Sequence, residues 1–123
     1  LYRLKEILVN KIALFAFKGD PVCFVHVLLN ALDMHAQEYD VKIVLEGEAT
    51  RLVPELAQQG NPLFGLYSKV KGLSLIDAVC RACSSKMGVL KDVEAQGLPI
   101  SDEMSGHPSM ARYRSAGYEI LTF

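Results

Sequence analysis

The run Lys11-Ile12-Ala13-Leu14-Phe15-Ala16-Phe17-Lys18-Gly19-Asp20-Pro21 decides how this chain is read. From Ile12 to Phe17 every residue is apolar, with no alternating polar position. That is the pattern of a central strand covered on both faces, and it points to a parallel sheet. Gly19 then permits a tight turn, Asp20 can accept hydrogen bonds from the first amides of a helix, and Pro21 stands where its missing N–H costs nothing. The helix is expected to run to about Gln37. Its polar residues His26, Asn30, Asp33 and Gln37 fall on one narrow face, so the apolar surface exceeds what one sheet covers and marks a candidate subunit interface.

Working outward, Val41 to Leu45 reads as a second strand ended by Gly47. Pro54 disfavours helical geometry at Val53, so a turn is expected before a short helix beginning at Pro54. Asn61-Pro62 starts a clearer helix, with Leu63, Leu66 and Val70 as its buried stripe and Gly72 as a left-handed stop. Leu75 to Val79 is a third strand with Cys80 at its carboxyl end, followed by helical turns over Arg81 to Met87 and Lys91 to Gln96. A short strand over Leu98 to Ile100, a helix over Pro108 to Ala116 and a closing strand over Tyr118 to Phe123 complete the chain. The alternation, with connections too long for hairpins, predicts one α/β domain over residues 1–123. It should be a three-layer α/β/α sandwich around a mostly parallel sheet of about five strands.

Composition bounds the function. The chain has 123 residues, half of them hydrophobic, with 13 basic against 14 acidic side chains. That is enough for a self-sufficient core, and it argues against disorder and against a nucleic-acid partner. The most apolar stretch, Val22 to Leu32, is interrupted by His26 and Asn30 and is too short to span a bilayer. A soluble, cytoplasmic protein with no membrane partner is expected. The first residue is Leu1 rather than Met, so a native start or leader ahead of it is expected too. Three cysteines are an odd number and not a stapling framework, so at least one should be free.

In an open α/β sheet, chemistry gathers at the carboxyl ends of strands. The segments to weigh are Lys18-Gly19-Asp20, Glu46-Gly47-Glu48, Cys80-Arg81-Ala82-Cys83 and the Ser101 to His107 loop. Neither a G-x-G-x-x-G nor a P-loop pattern occurs, and no cofactor is expected. Cys80 is the most informative position: a thiol entering a helix beside Arg81 sits where unpaired amides and positive charge favour thiolate, against the plain alternative of a small buried hydrophobe. Cys83 completes a C-x-x-C. There is no second such pair, and His26, His35 and His107 show no ligand spacing, so no metal is expected. Cys23 reads as core, His107 as a turn or capping residue and Asp20 as a helix cap. Glu46 and Glu48 read as solvated loop carboxylates, and Arg81 and Lys86 as a solvated helix face.

The segment Leu75 to Gly88, Leu-Ile-Asp-Ala-Val-Cys-Arg-Ala-Cys-Ser-Ser-Lys-Met-Gly, resembles the strand, cysteine, short helix and glycine of the DsrE/DsrF-like superfamily, which includes the TusD-type sulfur relay proteins. Cys80, eight residues before Gly88, matches that family's sulfur-carrying position. The opening Ile12 to Leu32 and the closing Met110 to Phe123 are similar as well, whereas Arg81 and Ala82 replace small polar residues found between the cysteines of some members. The resemblance implies a sulfur carrier or sulfurtransferase. Cys80 would accept sulfane sulfur as a persulfide and pass it between donor and acceptor proteins, with Cys83 at most a resolving thiol, in a homodimer, trimer or hexamer. Two other readings stay open: a non-enzymatic oligomeric ligand-binding or regulatory protein, and a Cys80/Cys83 redox pair.

Overall fold

A computed structural model describes residues 9–123; the expectation attached to Leu1 lies outside them. Five strands form a single sheet: β1 (Lys11–Ala16), β2 (Asp40–Leu45), β3 (Ile76–Cys80), β4 (Ile100–Ser101) and β5 (Glu119–Thr122). Every pairing is parallel and the order is β4-β3-β2-β1-β5. The helices are α1 (Pro21–Ala36), α2 (Leu52–Leu56), α3 (Phe64–Gly72), α4 (Arg81–Lys86), α5 (Leu90–Ala95) and α6 (Met110–Ser115), with a 3-10 turn over Gly47–Arg51 ahead of α2.

The order dictates the layers. Three successive crossovers from β1 to β4 step in one direction, and right-handed connections place their helices on one face. There Ile12, Leu14, Ile43 and Val79 pack with Phe24 and Leu28 of α1, Leu52 and Leu56 of α2, Tyr67 of α3 and Val93 of α5. The connection from β4 returns past β1 to β5 and so crosses the opposite face, where α6 supplies Tyr113 against Ala13, Phe15, Val44 and Ala78. The Tyr113 ring meets Phe15 edge-on at 5.4 Å, and its hydroxyl donates to Asp77 Oδ2 at 2.5 Å. The expected three-layer α/β/α sandwich is therefore present, and among the described residues one layer consists of a single six-residue helix.

Local details depart from expectation in instructive ways. Pro54 lies inside α2, not at its start, because the first amides of a helix need no partner and the 3-10 turn already aligns Val53. Helix α3 is stopped by Ser74 rather than Gly72: Ser74 takes the left-handed conformation (φ 58°), its N–H donates to Lys71 O, and the Leu75 N–H reaches back to Val70 O. Ser109 caps α6, so Pro108 precedes the cap. Asp20 caps α1 as expected, its Oδ1 accepting from the Val22 N–H at 2.9 Å. Gly19 is needed for closeness, since a Cβ there would stand 2.8 Å from Glu48 O. In the β2/β3 pairing Ile43 faces Ile76 but Val44 faces Ala78, so Asp77 is an inserted bulge residue and the facing of β3 reverses beyond it.

Candidate functional site

Adjacent strands β3 and β4 send their chains to opposite faces of the sheet, and this opens a crevice beyond their carboxyl ends. Cys80, the last residue of β3, sits at its floor, fully buried. Its extended backbone makes it the cap of α4, with the Cys83 N–H donating to Cys80 Sγ at 3.3 Å. The β4–α6 loop folds over the thiol. The Ala82 N–H donates to Gly106 O at 2.9 Å, Cys80 Sγ donates to the same carbonyl at 3.6 Å, and His107 Nδ1 stands 3.1 Å from Cys80 Sγ and 3.7 Å from Cys83 Sγ. Glu46, from the end of β2, brings Oε1 to 3.8 Å from the same ring nitrogen.

The loop is held at its base by Glu103, which accepts from Arg112 Nε at 2.7 Å, from Ser101 Oγ at 3.1 Å and from the Ser109 N–H at 3.2 Å. Beside His107 a groove of about 510 Å³ is lined by Phe17, Glu46, Met104, Pro108 and Met110.

Cys80 and Cys83 are adjacent, as their spacing requires. Cys80 is the buried thiol and Cys83 the half-buried one, because the strand end is roofed by Gly106 and His107. Burial pushes the Cys80 thiol up to about 12; the Cys83 thiol and the Glu46 carboxylate add to the rise, and the Cys83 N–H opposes it. The expected lowering is absent, and Arg81 contributes no contact to the sulfur: its guanidinium pairs with Asp102 at 3.4 Å.

His107 and Glu46 are the residues that sequence reasoning set aside. Glu46 is only 7% exposed, and burial raises its carboxyl above the usual range, with His107 opposing. Glu48 is the solvated one, paired with Arg51 at 3.2 Å. Cys23, His26 and His35 lie along α1, apart from the cluster. The signal that could have found Glu46 and His107 was their place after strands β2 and β4, whose adjacency to β3 the sequence does not state.

No protein-family model and no solved structure matches the chain. An uncharacterized protein of Methanocaldococcus jannaschii, MJ0733, is 33% identical over 96 residues, covering 78% of this chain and 76% of that protein. An uncharacterized Archaeoglobus fulgidus protein is 51% identical over 37 residues, 30% of this chain and 100% of its own length. A second from the same organism is 32% identical over 52 residues, 42% of this chain and 84% of its own.

Proposed function

We propose that this chain, which belongs to the same family as the uncharacterized protein MJ0733, is a thiol-based carrier of sulfane sulfur with Cys80 as the carrying residue. The observation that supports the reading is the imidazole of His107 at 3.1 Å from Cys80 Sγ, a nucleophile and base within hydrogen-bond reach. Burial keeps the resting thiol protonated, and the ring is the acceptor its proton needs.

The Cys80 thiolate attacks the outer sulfur of a donor persulfide. The donor's S–S bond breaks, its thiolate leaves and takes up the proton held by His107, and Cys80 retains the sulfur as its own persulfide. An acceptor thiolate then attacks that outer sulfur and Cys80 leaves as thiolate, so no net oxidation occurs. The Cys83 N–H, already directed at Cys80 Sγ, is a donor for the charged sulfur in both steps.

The reading calls for a donor and an acceptor protein and a cytoplasmic setting that keeps the cysteines reduced. No helix among the described residues is long and apolar enough to cross a membrane. A homo-oligomer belongs to the same reading, supported by the outer side of α1, where Val22 and Leu29 stand 71% and 48% exposed.

The test is intact-mass analysis of reduced, chelator-treated protein after incubation with a persulfide donor. Cys80→Ser should abolish the gain of one sulfur atom while Cys83→Ser retains much of it. If both variants accept sulfur like the parent, the assignment to Cys80 is wrong. If both lose it equally while folded, the two thiols act as a redox pair.

A further inference from the structure

We infer that Glu46, Cys80, Cys83 and His107 form a binding site for a single thiophilic divalent cation, zinc by the chemistry of its donors. One carboxylate oxygen, two thiol sulfurs and one imidazole nitrogen from these residues all lie within 4.8 Å of one another. Zinc takes four such ligands tetrahedrally at about 2.0–2.3 Å, which sets ligand-to-ligand edges of roughly 3.3–3.8 Å. The measured approaches of His107 Nδ1, 3.1 Å to Cys80 Sγ, 3.7 Å to Cys83 Sγ and 3.8 Å to Glu46 Oε1, are already close to those edges. Small side-chain adjustments around a central ion would complete the tetrahedron.

Three further features fit an ion rather than a packed core. A buried carboxylate is costly unless it is paired, and among the described residues no Lys or Arg pairs with Glu46, which lies against the buried Cys80 and the half-buried Cys83. A cation satisfies all of them at once and ionises the coordinating thiol outright. The Cys83 N–H directed at Cys80 Sγ is the contact that a metal-bound thiolate accepts. Access is also provided: Cys83 and His107 are the less buried pair, and His107, 38% exposed, borders the groove. Four protein ligands leave no open position, so the ion would close the site, occupying both thiols.

This inference does not depend on the sulfur-carrier reading, because its test contains no sulfur donor. Reduced, chelator-treated full chain is titrated with Co²⁺ as a spectroscopic probe and with Zn²⁺ against a chromophoric chelator. One equivalent of Co²⁺ should give the visible bands of a tetrahedral ion with thiolate charge transfer, displaced by Zn²⁺. Cys80→Ser, Cys83→Ser and His107→Ala should each weaken Zn²⁺ binding at least ~100-fold and Glu46→Gln at least ~10-fold, while Cys23→Ser and His35→Ala leave it unchanged.

Circular dichroism of the metal-free variants separates lost ligands from lost fold. Where Cys80→Ser unfolds, the more exposed Cys83→Ser decides. Absence of thiolate charge transfer, an octahedral cobalt spectrum, or affinity unaffected by Cys83→Ser or by Glu46→Gln would overturn the four-ligand site.

Discussion

Gly106 ties the roof of the site to its floor, and replacing it with alanine tests that arrangement directly. Its φ of +94° is in the region L side chains avoid, and a Cβ added there would stand 3.0 Å from Ala82 Cβ. Left-handed backbone costs a non-glycine residue about 1–2 kcal/mol. Ala82 cannot retreat freely, because its N–H is bonded to Gly106 O at 2.9 Å, and losing that bond costs about 1 kcal/mol more. Gly106→Ala should therefore destabilise the protein by about 2–3 kcal/mol, a fall in melting temperature of roughly 10 °C for a domain of this length.

Urea and thermal unfolding measure the loss. Gly65→Ala is the control: Gly65 is inside α3, a Cβ there meets nothing within 4 Å, and the change should stabilise by about 0.5–1 kcal/mol. If Gly106→Ala loses less than about 0.5 kcal/mol, within the scatter of an ordinary surface substitution, the loop is not seated on α4 and the cluster around His107 is not assembled as described.

Tyr113→Phe removes the hydroxyl bond to Asp77, which keeps Lys42 at 3.5 Å and Arg112 at 3.9 Å; chemical denaturation should show a loss near the low end of the charged-bond range, about 1.5 kcal/mol, and an unchanged midpoint would refute that role. The Arg112 guanidinium and the Ser109 N–H hold the Glu103 carboxyl below its ordinary 4.5, so its contribution is complete above that value and disappears as pH falls through the depressed one. Because Glu103 is largely in solvent, the parent should exceed Glu103→Gln at neutral pH by less than about 1 kcal/mol, with the difference vanishing in acid; a gap that widens on acidification would reverse the assignment. Ser84 is fully buried with no hydrogen-bond partner for its hydroxyl among the described residues, so Ser84→Ala should be neutral or stabilise by up to about 1 kcal/mol; a clear loss would mean that the hydroxyl has a partner.

What the sequence by itself determined was local. The apolar run of β1, the Asp20 cap, the Pro21 start and the glycines after α4 and α5 act over neighbouring residues, and they were enough to define the alternating elements and hence a parallel α/β sandwich. Cys80 at a strand end was visible for the same reason. Misreadings arose where two local tendencies compete, at Pro54 and at Gly72, and the hydrogen-bond partners supplied by the surrounding chain decided between them.

Only the tertiary structure decided the site. Cys80 ends β3 while Glu46 and His107 follow β2 and β4, and the residues between them carry no record that these strands are neighbours in the order β4-β3-β2. The bulge at Asp77 reverses the facing of β3 just ahead of Cys80 and depends on register against β2. Strand order and register are set by which faces the whole chain can bury together, a property of long-range packing rather than of any window of sequence. That packing also buried Cys80 and raised its pKa, where the helix start and Arg81 had suggested the opposite.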